Sequence, residues 1–355
     1  MLTGDLDRLL AAEIGAVAPR SVITSAGTWQ PGPPGSAPGT YATPVAYRLA
    51  GGDRAGQLRI AMTLAAALRL ADWVRSATVT GGYVTVTVTP DALARLAARI
   101  TAAGPACARS TALAGTTVPA PPDPDLAAAA GWADARRRLA AHLTGRLAEV
   151  AGARTFPALP AERNPVPGPA PSRATGPVAG ALGYAGAGAI RYALARLPPG
   201  APARVDPCHA AGHHTDVPAY AVRYAHAHAV SALRQAADLG LSQGEAAEFG
   251  PRQLAHPSEQ VLLAELSWLP ERVAGAARRA RPDTFPRYLE RLAGAYFDSH
   301  EQCPAVWPGL GRGGVEAGTT VGGPQIAARL WLAAAAATAL RAGLGLLGVD
   351  APGRL

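Results

Sequence analysis

The chain has 355 residues, 49% of them hydrophobic and 16% charged, so it can bury more than one core and suits two or three domains. Its formal net charge of +8 comes with 33 basic residues, all of them arginine, which permits a nucleic-acid partner. Three scattered cysteines exclude a disulfide framework. The longest largely apolar stretch, residues 330–340, is too short to span a bilayer, and the first residues lack the pattern of a secretory signal. We therefore expect a cytoplasmic protein without a membrane partner.

Residues 1–100 predict a small domain that mixes helices and strands. The predicted helices cover residues 2–17, 41–50, 58–73 and 91–100, where apolar side chains recur at helical spacing. Residues 31–39 are rich in proline and glycine and predict a loop. Residues 77–89 alternate β-branched and polar side chains around a Gly81-Gly82 pair, which predicts a hairpin.

Residues 101–180 predict a linker region with one helix. Proline, glycine and alanine crowd residues 117–125 and 156–177, and such segments are typically extended. Residues 126–151 between them predict a helix. Its three consecutive arginines, at 136–138, could bind RNA backbone or form a solvated face.

Residues 181–355 predict an all-α helical bundle, since no alternating strand pattern interrupts the helical ones. The predicted helices cover residues 187–197, 218–237, 258–269, 271–281, 284–299 and 324–347. The fold predicted for the chain is therefore α+β: an N-terminal α+β domain, a linker rich in proline and glycine, and a C-terminal helical bundle.

Three motifs in the C-terminal part resemble those of the arginyl-tRNA synthetase family. Residues 216–228, DVPAYAVRYAHAH, are similar to the NPxxYVQYAHAR motif that opens the family's DALR-type anticodon-binding domain. Residues 186–192, GAGAIRY, resemble its GxDALRY element, with Gly188 in place of the acid. Residues 346–355, LLGVDAPGRL, resemble its terminal LLGI-x-APERM.

The N-terminal part carries two further similarities. Residues 39–50, GTYATPVAYRLA, resemble the GDYATNVALRLAK stretch of the family's additional N-terminal domain, and residues 81–86, GGYVTV, resemble its GxGFINF strand. The resemblance covers about residues 1–100 and 176–355. It implies that the helical domain binds the anticodon stem-loop of a tRNA, with an arginine-specific tRNA as one candidate, and that the N-terminal domain contacts the tRNA elbow.

The catalytic signatures of that family are missing from the sequence. It contains no HxGH motif, and without lysine a KMSKS loop is impossible. The roughly 75 residues between the two resembling regions are fewer than an ordinary domain needs. The resemblance thus implies a non-catalytic tRNA-binding protein without a cofactor. The alternatives are an aminoacyl-tRNA ligase that works alone or with a partner, and a protein-interaction module that reuses the anticodon-binding fold.

The candidate RNA-binding residues of the bundle centre on one predicted helix. Tyr220, Arg223 and Tyr224 have i, i+3, i+4 spacing and share a face. Aromatic rings and a guanidinium on one face suit stacking on unpaired bases and contact with phosphates. His226 and His228 belong to the same motif, His228 at the position where the family has arginine. The alternative is that these tyrosines and histidines pack between helices.

A second candidate set lies in residues 272–291, which carry six arginines against two carboxylates. From it we select Arg278, Arg279 and Arg287, because arginine can clamp a phosphate with two hydrogen bonds. A solvated helix surface is the alternative.

Tyr83 and Thr85 are candidates in the N-terminal domain. By the resemblance they stand where the family has an aromatic residue and an asparagine on its tRNA-facing sheet. Packing within the sheet is the alternative for both.

A cluster of side chains could in principle ligate Zn²⁺. It comprises Cys208, His209, His213, His214 and Asp216. Their spacing is not a recognised zinc pattern, so no metal site is predicted.

Overall fold

A computed structural model of the chain describes residues 2–17, 29–157, 177–245, 249–306 and 323–355. Its contacts define two compact units. Unit 1 comprises Met1–Cys107, Ala229–Glu271 and Ala295–Thr338, and unit 2 comprises Ala108–His228, Arg272–Gly294 and Ala339–Leu355.

Helices dominate the described residues. The α-helices are α1 (Leu2–Val17), α2 (Val45–Ala50), α3 (Arg54–Leu68), α4 (Pro90–Ala94), α5 (Leu96–Ala103), α6 (Trp132–Val150), α7 (Pro177–Ala185), α8 (Ala187–Arg196), α9 (Pro207–Ala210), α10 (Pro218–Asp238), α11 (Pro257–Ser267), α12 (Leu269–Arg278), α13 (Thr284–Gln302) and α14 (Gly323–Leu347). The strands are β1 (Gln30–Pro31), β2 (Thr40–Thr43), β3 (Val74–Thr80), β4 (Tyr83–Val88), β5 (Thr117–Pro119) and β6 (Arg154–Phe156). The predicted α+β fold, with a helical C-terminal part, is confirmed.

Unit 1 holds a four-stranded antiparallel sheet in the order β1-β2-β4-β3. Its centre is the predicted hairpin, with β3 and β4 joined at Gly81 and Gly82. Both glycines have positive φ, 56° and 82°, as a two-residue hairpin turn requires. Along β4, Val84, Val86 and Val88 are buried and alternate with more exposed residues. The alternation read from the sequence thus corresponds to one buried and one outer face.

The single helix predicted for residues 41–50 is wrong in its first part. Residues 41–43 belong to β2, in which Tyr41 pairs with Val86 and Thr43 with Val84, and α2 begins only after Pro44. The pairing is non-local, so a local helical pattern cannot reveal it. The helix predicted for residues 91–100 is likewise divided, into α4 and α5, at Arg95.

Tyr41 links the sheet of unit 1 to α11 in the same unit. Its ring is fully buried, and its hydroxyl donates to Ser267 Oγ at 2.7 Å. Ser267 Oγ donates in turn to the Ala264 carbonyl at 2.6 Å, and the Trp268 ring centroid lies 5.0 Å from that of Tyr41. Burial raises the pKa of Tyr41 well above its ordinary value, so the hydroxyl stays protonated and remains a donor.

The described part of the predicted linker region packs within unit 2. β5 and β6 form a parallel two-stranded sheet. Helix α6 starts at Trp132, later than the predicted residue 126, and buries Leu139, Leu143 and Leu147 on one side. Most of the second stretch rich in proline, residues 158–176, lies outside the described residues.

Helix α14 is longer than the apolar stretch noted in the sequence. It has 25 residues, and its most apolar window has a mean hydropathy of 1.6, enough by length and composition to cross a membrane. However, 78% of that window is buried inside the protein, which is typical of a core helix. Ala335, Ala336, Ala339 and Leu340 are fully buried.

Candidate nucleic-acid interface

The candidate site is built on α10, which begins at Pro218. Proline fits the first turn of a helix, where its missing N–H costs no hydrogen bond. The preceding loop closes with a hydrogen bond from the Val217 N–H to the His214 carbonyl, 3.0 Å. The helix continues for 21 residues, so side chains four apart lie one above the other on the same face.

Four aromatic side chains of unit 2 form a continuous row that we call the ring ladder: His213, Tyr220, Tyr224 and His228. His213 stacks on Tyr220 with centroids 5.7 Å apart and planes at 16°, and Tyr220 stacks on Tyr224 at 5.7 Å and 9°. His228 meets Tyr224 edge to face at 6.0 Å and 66°. His213 is exposed and the three helical rings are half-buried, so the ladder presents ring surface to solvent. Such spacing is typical of offset-stacked and T-shaped aromatic pairs.

Arg223 lies on α10 beside the ladder, three residues after Tyr220. Its side chain is half-buried, and its Nε is buried without a hydrogen-bond partner among the described residues. Within the part of the chain that the structure describes, no carboxylate pairs with it. A permanent positive charge therefore accompanies the rings, as the spacing of Tyr220, Arg223 and Tyr224 predicts.

His226 does not join the ladder, although it belongs to the same motif. It is fully buried on another face of α10, where Nδ1 lies 3.0 Å from the Pro352 carbonyl and Nε2 lies 3.4 Å from Arg341 Nε. The carbonyl can only accept and the guanidinium can only donate, so the ring is the neutral tautomer with its proton on Nδ1. Burial lowers the pKa of His226, and the nearby Arg341 charge lowers it further, against the opposing effect of the Pro352 carbonyl. For His226 the structure supports the packing alternative.

His228 differs from the arginine of the related motif in charge as well as in shape. Burial lowers the pKa of its imidazole below the ordinary value, so the neutral ring is favoured at neutral pH. The ladder therefore ends on a titratable group.

Two of the three C-terminal motifs, residues 186–192 and 346–355, meet inside unit 2 around Arg191. This buried arginine donates from Nε to the Leu347 carbonyl at 2.5 Å and from a terminal nitrogen to Asp123 at 2.7 Å. Gly348 has φ +70°, and a Cβ there would lie 2.6 Å from Arg191 Nε. A Cβ on Gly188 would reach Val349 Cγ1 at 3.6 Å. These two motifs thus hold the C-terminal segment beside α8, and Arg191 has a structural role there.

The arginines of residues 272–291 occupy different settings. Arg278 and Arg279 are exposed at the end of α12. Arg281 makes two hydrogen bonds, of 2.8 and 2.9 Å, to the buried Asp283. Arg287 is half-buried on α13 and donates weakly to the Arg196 carbonyl, 3.5 Å.

Tyr83 and Thr85 lie in unit 1, on the outer face of the sheet. Tyr83 is exposed and meets the Tyr47 ring edge to face at 5.6 Å and 67°. Thr85 is half-buried opposite Thr78 of β3. The outer face thus presents an aromatic pair together with threonine hydroxyls.

Some of the side chains considered for zinc remain neighbours, since the ring centroids of His209 and His214 lie 6.4 Å apart. Within the described residues no group of three or more histidines, cysteines and carboxylates is placed to hold a metal ion. His213 is part of the ring ladder instead, and His214 lies 3.7 Å from Asp216. From the sequence, His213 is only a potential zinc ligand. Its contact with Tyr220 is made from a loop, so helical spacing does not predict it.

The helical C-terminal part of the chain matches a known family of domains. Residues 222–355 match the DALR anticodon binding domain family. About half of the chain is related to arginine–tRNA ligases: the Micrococcus luteus protein is 39% identical over 172 residues, which are 48% of this chain and 30% of that protein. The Frankia alni protein is 39% identical over 171 residues, 48% of this chain and 29% of that protein. The chain therefore matches about 30% of the length of these relatives.

A solved structure agrees with the chain at the level of the fold. Thermus thermophilus arginyl-tRNA synthetase superimposes with a TM-score of 0.68 and 14% identity, with 100% of each chain covered. The alignment with the Micrococcus luteus protein covers 172 residues, fewer than the predicted resemblance over residues 1–100 and 176–355 together. The resemblance of the N-terminal domain remains a prediction.

Proposed function

We propose that this chain binds tRNA, with unpaired bases of the anticodon loop stacking on the ring ladder. The observation that carries the proposal is the row of Tyr220, Tyr224 and His228 along α10, extended by His213. Flat, partly exposed rings at regular spacing offer the surface that unpaired bases need. The DALR anticodon-binding domain at residues 222–355 and the arginine–tRNA ligase relatives support this class of ligand.

The charge around the ladder fits the same ligand. Arg223 supplies a cation without a carboxylate partner among the described residues. Arg278 and Arg279 add two exposed guanidinium groups in the same unit. Contacts of arginine with phosphates would position the strand, while the rings would hold its bases.

The proposal extends to the rest of the chain in two respects. The chain binds tRNA without aminoacylating it, because the sequence has neither lysine nor an HxGH motif. The outer face of the sheet, at Tyr83 and Thr85, contacts a second part of the tRNA.

ATP–pyrophosphate exchange with arginine, measured on the chain alone and with cell extract, tests the proposal that the chain does not aminoacylate tRNA. Exchange that depends on the chain would contradict it.

The binding proposal is tested with a fluorescent RNA hairpin comprising an anticodon stem and its loop. The wild-type chain should bind it, and a hairpin with the loop bases paired should bind much more weakly. Replacing one ladder ring, as in Tyr224→Leu, should weaken binding roughly 5- to 100-fold, the cost of losing one stacked base. Tyr224→Phe keeps the ring and should bind like wild type. Tyr184→Leu, at an exposed tyrosine outside the ladder, is the matched control. Equal losses at Tyr184 and Tyr224 would contradict the proposal.

A further inference from the structure

Unit 2 contains a pocket whose lining includes residues 217–219, which directly precede the ladder residue Tyr220 in the sequence. It has a volume of about 200 Å³, and its walls are mainly apolar. The wall residues include Ala189, Ala193, Leu197, Val205 and Val217. A space of this size admits a single small group and excludes a stack of bases.

Positively charged side chains reach this pocket from three separate segments. Arg196 comes from the end of α8, Arg204 from the loop after it, and Arg287 from α13. Arg196 is paired with Glu290 at 2.7 Å. Arg204 and Arg287 have no carboxylate partner within the described residues, so their charges are available to a ligand.

One carboxylate, that of Asp206, also lines the pocket. Its Oδ1 accepts a hydrogen bond from the Cys208 N–H at 2.9 Å and thereby caps α9. The pocket is therefore lined by two arginines without an ion-pair partner among the described residues and by one carboxylate, which already accepts a backbone hydrogen bond. The surplus positive charge favours an anionic ligand, and guanidinium groups are well suited to phosphate oxygens.

The pocket and the ladder adjoin along the chain. Val217, Pro218 and Ala219 line the pocket, and the next residue, Tyr220, is a ladder ring. The same end of the ladder carries His213. Because the pocket residues directly precede Tyr220, one strand can stack on Tyr220 and place a neighbouring phosphate beside Arg204 and Arg287.

We propose that this pocket receives the phosphate and sugar of one nucleotide of the RNA strand whose bases stack on the ladder, with the phosphate bound by Arg204 and Arg287. The apolar walls contact the sugar. This inference rests on the proposed tRNA binding, and it adds a phosphate site that fixes the register of the strand on the ladder.

The test uses the full chain and anticodon hairpins that each carry one uncharged methylphosphonate in the loop. Arg204→Gln and Arg287→Gln remove the charges, and Arg109→Gln is the control, since Arg109 is an exposed arginine of unit 2 outside the pocket. Each pocket variant should bind the unmodified hairpin roughly 5- to 20-fold more weakly, with a salt slope lower by about 0.7, as for one lost phosphate contact on a single strand. One methylphosphonate position should weaken wild-type binding and leave the pocket variants unaffected.

The outcomes separate this inference from the proposed function. If the hairpin binds, the ladder variants weaken it and Arg204→Gln behaves like Arg109→Gln, the pocket site is wrong and the ladder stands. If the wild-type chain does not bind the hairpin, both are wrong. If adenosine monophosphate or inorganic phosphate binds wild type and not Arg204→Gln, while hairpin binding is equal in both, the pocket serves a free phosphate compound and the RNA assignment is overturned.

Discussion

Two faces of the same helix, α10, carry the same residue types and use them differently. Tyr220, Tyr224 and His228 form a half-buried row open to solvent. His226, two residues from the end of that row, is fully buried and bonded to Pro352 and Arg341. Residues two apart on a helix point to different sides, so neighbours rather than residue type decide what a side chain does. The solvent face can be altered to change binding, whereas the buried face holds the C-terminal segment and can be altered to change stability.

The buried side should respond most strongly to loss of Arg191. Arg191→Leu removes two hydrogen bonds from a buried position, one to the Asp123 carboxylate and one to the Leu347 carbonyl. The Leu347 carbonyl then lacks this donor. We expect the free energy of unfolding to fall by about 3 kcal/mol. Urea unfolding followed by circular dichroism measures it, and Arg191→Lys should give a smaller loss, since lysine can satisfy fewer of the acceptors. Wild-type stability in Arg191→Leu would contradict the assigned structural role.

A glycine pair at the end of α14 sharpens the same contrast. Gly348 has φ +70° and no room for a Cβ beside Arg191, so Gly348→Ala should lower the free energy of unfolding by about 2 kcal/mol. Gly345, three residues earlier, lies within the helix with open space around it, so Gly345→Ala should raise that free energy by about 0.5–1 kcal/mol. Thermal or urea unfolding of both variants checks the opposite signs. A loss in both would show that the C-terminal segment tolerates no change.

The pH dependence of stability should report on His226. Its pKa is lowered in the folded protein, so the unfolded chain binds the proton first as the pH falls. The contribution of His226 is therefore fully present above about pH 6.5, the ordinary histidine value, and is lost as the pH drops below it. His226→Gln can still donate to Pro352 and accept from Arg341 without titrating. We expect it to flatten the decline in the free energy of unfolding between pH 7 and pH 5, and an unchanged decline would contradict the prediction.

The solvent face should show the smallest effect, in the pH dependence of RNA binding. Burial keeps His228 neutral at neutral pH, whereas a bound phosphate would favour its protonated form. Affinity for the hairpin should therefore rise by roughly two- to fivefold as the pH falls from 8 to 6. His228→Arg fixes the charge and should remove this dependence, measured by fluorescence polarisation at constant ionic strength. A pH dependence that persists in His228→Arg would assign it to another group.

The sequence predicted the local part of the candidate site and missed the non-local part. The i, i+3, i+4 spacing placed Tyr220, Arg223 and Tyr224 together, because helical periodicity alone determines which side chains share a face. It could not place His213, which reaches Tyr220 from a loop, or bury His226 against Pro352 more than a hundred residues later. Arg204 and Arg287 meet at one pocket from separate segments, and no spacing rule connects them.

The fold shows the same division between local and distant information. The hairpin of β3 and β4 was predictable, because its alternation and its Gly81-Gly82 turn are contiguous in sequence. Strand β2 was not, because Tyr41 is held in it by pairing with Val86 and by burial against Trp268. In sequence alone, Tyr41, Ala42 and Ala46 fit a helical pattern equally well. Tertiary contacts therefore decide that residues 41–43 form a strand.

Helix α14 has a consequence for how the chain reaches its native state. Its window of high hydropathy is shielded only by the finished protein, and before those neighbours assemble the helix would expose a long apolar surface. During refolding from denaturant that surface can associate between molecules as readily as within one. Recovery of native protein should therefore decline as the protein concentration rises, and dilution or a holding chaperone should restore the yield.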